Sequence, residues 1–165
     1  MRFRDAPTAE VSVLLADCSP ERAWELVTDV ELPTRVTGEL TGVEWLTDVA
    51  EVAVGARFRG HNASESLGEW SAECEIVEVE PGRRWVWTAG LPQTGPWTTW
   101  AFEVDPGPKG TTVRQWARLG PGRSRLNEFI DAKPEAEGFI IARRLDAWRT
   151  GMQANLDWIA AHHAD

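Results

Sequence analysis

The sequence predicts an α+β fold: a curved antiparallel β-sheet wrapped around one long C-terminal helix, with two short helices after the first strand. Three observations predict it. From Gly42 to Leu119 apolar and polar residues alternate with period two, and turn residues separate the runs. After that stretch, Ile141, Leu145, Trp148, Met152, Leu156 and Ile159 recur at three- and four-residue spacing. The chain also carries ten tryptophans and no tyrosine. Trp45, Trp70, Trp85, Trp87, Trp97, Trp100 and Trp116 fall in the alternating stretch, and Trp24, Trp148 and Trp158 in helical segments. Indole is large and rigid, so a sheet lined with it either fills a core tightly or leaves a stiff-walled cavity.

Glu10 to Asp17, with Val11, Val13, Leu14 and Leu15, reads as the first strand. Ser19-Pro20-Glu21 then supplies an N-cap oxygen, a proline suited to the first helical position and an acid in the first turn. The helix shows Ala23, Trp24, Val27 and Val30 on one side; Leu32-Pro33 interrupts it, and Thr34 to Val36 add one more turn. Val43 and Trp45 begin the alternation, and Phe58, Gly60 and Asn62 share the next strand's face. Trp70, Ala72, Cys74 and Ile76 follow, then Trp85, Trp87 and Ala89 after the Glu80-Pro81-Gly82 turn. Gly95-Pro96 breaks the chain before Trp100, Phe102 and Val104. Asp105 to Gly110, with two prolines, reads as a loop that no strand accommodates, and Thr111 to Leu119 as the last strand. Connections this short demand antiparallel pairing. The remainder is helical, with the long helix spanning about Glu135 to Ala161, and Arg144 and Asn155 on one edge of its stripe. A single domain over residues 1–165, with its core at about 9–161, accounts for the chain.

A net charge of −9 repels phosphate backbones and anionic lipid surfaces, which argues against nucleic acid and membrane partners. No stretch approaches the roughly 20 apolar residues of a membrane span, so no membrane insertion is expected. Arg2 and Arg4 precede no apolar run of signal-peptide length, and a cytoplasmic location is expected. Cys18 and Cys74 read as small buried apolar side chains, and with only His61, His162 and His163 beside them no metal site is expected. No nucleophile-plus-base spacing or phosphate loop occurs, so no cofactor is expected and no catalytic residue is assigned. The basic residues are nearly all arginine, which fits a high-GC bacterial codon supply.

The order of elements resembles the helix-grip fold of the START/Bet v1-like (SRPBCC) superfamily, and local motifs resemble its polyketide cyclase/dehydrase-like branch. The carrying residues are Ser19 to Trp24, Val54 to Asn62, Trp70, Glu80 to Arg84 and Gly110 to Val113. The resemblance spans about Ala9 to Ala161. It implies a cavity between sheet and helix for an apolar small molecule, and it carries no shared catalytic signature. Members often have an acidic residue in the last strand, where this chain has Gln115, so no carboxylate role transfers there.

The expected function is binding of a hydrophobic or aromatic small molecule, lipid- or polyketide-like, as carrier or sensor, by a monomer or homodimer. An enzymatic role like that of the cyclase or aromatase relatives stays open. So does an interaction module like the chaperone-activator or stress-type relatives, which calls for an exposed apolar patch with Trp97 or Trp116 outside the core. Trp45, Phe58, Trp87, Trp100 and Trp148 are the candidate cavity walls. Asn62 is a polar group on an apolar face, either tied to nearby backbone or reaching a ligand. Arg144 either snorkels to water or anchors a ligand carboxylate. His61 should face solvent, and the acidic runs Glu39 to Glu51 and Glu73 to Glu80 should form the wet face of the sheet.

Overall fold

The computed structural model describes all 165 residues. Seven strands form one antiparallel sheet in the order β1-β7-β6-β5-β4-β3-β2. They are β1 (Thr8–Ala16), β2 (Leu40–Trp45), β3 (Arg57–Ser64), β4 (Gly68–Glu80), β5 (Arg84–Leu91), β6 (Gly95–Gly107) and β7 (Gly110–Leu119). From β2 to β7 each strand pairs with its successor, through turns of two or three residues from β3 onward and an eleven-residue connection between β2 and β3, and β1 closes the far edge on β7. Register shifts between Leu40 and Gly42, Ile76 and Glu78, and Ala89 and Gly90 are bulges that bend the sheet. The result is a curled half-barrel.

α1 (Pro20–Val27) begins as its sequence requires, with Ser19 Oγ accepting from the Arg22 amide at 3.1 Å. A 3₁₀ turn follows at Leu32–Arg35, where Pro33 had suggested an interruption and a further turn. The long helix α3 runs Glu137–His162 and buries all six residues of the apolar stripe together with Asn155. It packs chiefly on β1, inside the curl. No helix is long and apolar enough to cross a membrane.

Two elements differ from the sequence reading. β6 extends through Asp105, Pro106 and Gly107, residues expected to form a loop. Its last pair with β5 is Arg84↔Glu103, and beyond it Pro106 pairs only with Thr111 of β7, so the missing proline N–H faces no neighbouring strand. A separate helix, α2 (Arg125–Ala132), precedes α3, opened by a capping box in which Asn127 Oδ1 accepts from the Ser124 amide at 2.8 Å. The tight β6–β7 hairpin requires Gly110: its φ is +140°, and a Cβ there would lie 2.1 Å from the Leu15 carbonyl oxygen of β1.

The core falls into two clusters. One gathers α1, the inner faces of β3 to β7 and the end of α3, around Trp85, Phe102, Val113 and Ile159. The other gathers α2 and the first half of α3 against Ala9, Ala117 and Leu119.

A cavity between sheet and helix

Between the two clusters lies a cavity of about 760 Å³. Phe58, Cys74, Trp85 and Phe102 of the first cluster and Leu119, Leu126, Trp148 and Met152 of the second line it. Strand parity aims the β5 and β6 rings at it. Trp87 pairs directly with Trp100, and Trp85 with Phe102. Trp85 stacks on Trp87 at 4.2 Å and 22°, Trp87 lies 15° from parallel with Trp100 at 6.3 Å, and Trp148 of α3 leans on Trp100 at 5.0 Å. Six of the ten indoles line this space: Trp70, Trp85, Trp87, Trp97, Trp100 and Trp148.

Of the residues singled out from the sequence, Phe58, Asn62, Trp87, Trp100, Arg144 and Trp148 all line the cavity. Trp45 does not. It sits on β2, the edge strand, where its ring meets Phe58 edge-on at 5.6 Å and borders a smaller cleft beside the end of α1. Phe58 thus stands between Trp45 and the cavity. The Asn62 amide donates to the Gly60 carbonyl at a long 3.4 Å, one of the two readings open to it, and it lines the cavity as well.

Arg144 is paired within the protein. Its guanidinium donates to Glu39 Oε2 at 2.6 Å, with side-chain exposures of 14% and 23%, and it lies 5.6 and 5.5 Å from the Trp70 and Trp148 ring centroids. Glu39 is therefore not on the wet face, as its acidic run suggested. It ties the segment before β2 to α3 at the rim of the cavity.

The outer face of the sheet is charged. His61 is exposed there, with Nδ1 2.9 Å from Ser71 Oγ and Nε2 3.4 Å from Glu44. Arg59 donates to Glu44 at 2.8 Å and holds that carboxyl below its ordinary range. Trp116 lies on the same side, its indole N–H donating to Glu103 at 2.6 Å between Arg84 and Arg118. Trp97 turns into the cavity. Neither indole builds an exposed apolar patch.

Two buried amides matter more than their sequence positions suggested. Gln115 of β7 and Asn155 of α3 are 2% and 5% exposed, both line the cavity, and the Asn155 amide donates to Gln115 Oε1 at 3.1 Å. Parity could have found Gln115, because Thr111, Val113, Ala117 and Leu119 on its face are all buried. Nearby, burial pushes the Cys74 thiol up to about 12, against a smaller opposing effect of a hydrogen bond with the Gly60 backbone.

Comparison with known proteins agrees with this architecture. No curated protein matches the chain in sequence. A polyketide-cyclase-like protein from Corynebacterium glutamicum, solved in solution, is 23% identical over 93% of this chain and 88% of that one, with a TM-score of 0.62. The di-domain ARO/CYC StfQ from the steffimycin biosynthetic pathway gives a TM-score of 0.72 at 12% identity, over 98% of this chain and 52% of StfQ. A major latex-like protein from Panax ginseng gives 0.64 at 10% identity, over 97% and 99% of the two chains. Identities this low speak for the fold alone, which is the Bet v1-like helix grip. The family model described as polyketide cyclase/dehydrase and lipid transport matches residues 6–159, and the chain belongs to that family.

Proposed function

We propose that this protein binds a hydrophobic or aromatic small molecule between sheet and helix, acting in the cytoplasm as a carrier or sensor. The observation that carries the reading is the cavity of about 760 Å³ walled by six indoles. That volume lies within the range of ordinary ligand pockets, and mostly apolar walls with a few placed polar groups are their usual composition. The distance along α3 from Arg144 to Asn155 is about 16 Å at 1.5 Å per residue, room for several fused rings or a folded acyl chain. A cyclase-type role would need a proton-transfer group inside. The titratable group among the buried walls is the Cys74 thiol, which stays protonated at neutral pH, and this favours binding over catalysis.

The test is direct, because the indoles are the walls. Titrating long-chain fatty acids, flavonoids and polycyclic phenols while following tryptophan emission should give a saturable change for at least one class. Mass spectrometry of protein purified without denaturation should then show a retained small molecule of that class. No saturable response to any of the three classes would overturn the reading.

A further inference from the structure

The charged groups that line the cavity are held by partners or lie toward its rim. Arg144 is bound to Glu39, Arg123 to Asp131 and Asp29 to Arg35. Gln115 and Asn155 are different: both are uncharged, both are more than nine-tenths buried, and the bond between them leaves groups unused. Asn155 Oδ1 has no protein hydrogen-bond partner, and the Gln115 amino group has none either. If both amides are turned over, the bond runs the other way, and what remains is again one acceptor and one donor. The couple therefore presents a neutral donor–acceptor pair under either assignment. Buried polar groups of this kind are normally satisfied.

Their place in the sheet says what could satisfy them. Gln115 pairs with Phe102, one of a row of stacked rings made by Trp85, Trp87, Trp100 and Phe102. The stacked pairs among these rings lie between 15° and 27° of parallel. Trp85 and Phe102 are almost fully covered by their neighbours, whereas Trp87 and Trp100 are only half-buried and line the cavity. A flat ring system can therefore pack against these two with its polar end towards the two amides. A hydroxyl matches them because one oxygen both donates and accepts. A carboxylate does not, because it only accepts, so it would lose its hydration and leave the acceptor of the couple unmet.

Taking the cavity as the binding site, we propose that its ligand is an uncharged planar phenol whose hydroxyl is recognised by Gln115 and Asn155. Calorimetric titration at pH 7 with 2-naphthol, 2-methylnaphthalene and 2-naphthoate tests this on the whole chain. Wild type should prefer the naphthol to its methyl analogue by about tenfold or more, because the analogue leaves both amides unmatched. It should bind the naphthoate more weakly still. In the Gln115→Leu/Asn155→Leu variant the preference should fall below about twofold while methylnaphthalene still binds. Near-UV circular dichroism checks that the variant keeps its packing, and the wild-type comparison stands without it. Equal wild-type affinities for naphthol and methylnaphthalene overturn the proposal, make the couple only a strut between β7 and α3, and leave the cavity reading intact. A preference unchanged in the variant, or tighter binding of the naphthoate, does the same. No binding of any of the three overturns the proposal, and the cavity reading is then decided by the fatty-acid, flavonoid and polycyclic-phenol titrations above.

Discussion

Replacing Trp148 by alanine measures how much of the helix–sheet junction is packed core and how much is cavity wall. The side chain is 2% exposed, leans on Trp100 at 5.0 Å and lies beneath the Arg144 guanidinium. Burying an indole removes roughly 150–250 Å² from water, which at about 25 cal/mol per Å² sets an upper bound of roughly 4–6 kcal/mol. Two features lower the figure. The indole N–H has no protein partner, so no hydrogen bond is lost, and one flank already borders the cavity, so part of the ring has no neighbour to lose. A loss of about 3 kcal/mol, the low end for aromatic-to-alanine changes, is expected. In urea, with a slope of about 2 kcal/mol/M, the unfolding midpoint should fall by about 1.5 M. Trp85→Ala is the control. That indole is equally buried and also borders the cavity, but it donates to the Val27 carbonyl at 3.0 Å, so it should cost more. An unchanged midpoint for Trp148→Ala, or a larger loss than for Trp85→Ala, would refute the reasoning.

Arg144→Leu should lower stability by about 1–2 kcal/mol, below the range for fully buried pairs because both partners keep some exposure, and it leaves Glu39 unpaired. Adding Glu39→Gln should recover part of that loss in a double-mutant cycle by urea denaturation; full additivity would mean the pair is uncoupled. Cys74 should ionise at about 12 in the folded protein, against a reference of 9.0. The folded state then holds the proton more tightly, so stability is fully present below pH 9 and declines as pH rises from about 9 towards 12. Cys74→Ala should flatten that alkaline decline in denaturation midpoints measured across the interval, and a decline that persists unchanged would assign it to other groups.

The strands were legible because one-sided burial writes itself into the sequence with period two, and Trp85, Trp87, Trp100 and Phe102 all face as their parity required. Parity gives a face, not a position in the sheet, which is why Trp45 on the edge strand was not separable from Trp87 in the middle. The Arg144–Glu39 pair spans 105 residues, and no local pattern announces it. Gln115 is readable as inward by parity, but its partnership with Asn155 on α3 joins residues 40 positions apart, which no local pattern announces. Helix α2 went unseparated because its cap is Ser124 with Asn127, where the more familiar signal ends in Glu or Gln.

The pairing of β1 with β7 has a kinetic side. From β3 to β7 neighbouring strands are joined by two or three residues, and β2 reaches β3 across eleven, whereas Thr8 meets Arg118 and Ala16 meets Gly110. Closing a loop of about 100 residues in place of about five costs roughly 2–3 kcal/mol more chain entropy, at about 0.6 kcal/mol per doubling. The six-strand meander can zip from hairpin to hairpin, and the N-terminal strand is then the piece that must search for its edge. Until it arrives, β7 shows an unpaired border, and a strand from a second molecule can occupy it as well as the chain's own. Refolding at high protein concentration is therefore where exchanged, strand-swapped species should accumulate, and dilution is what should suppress them.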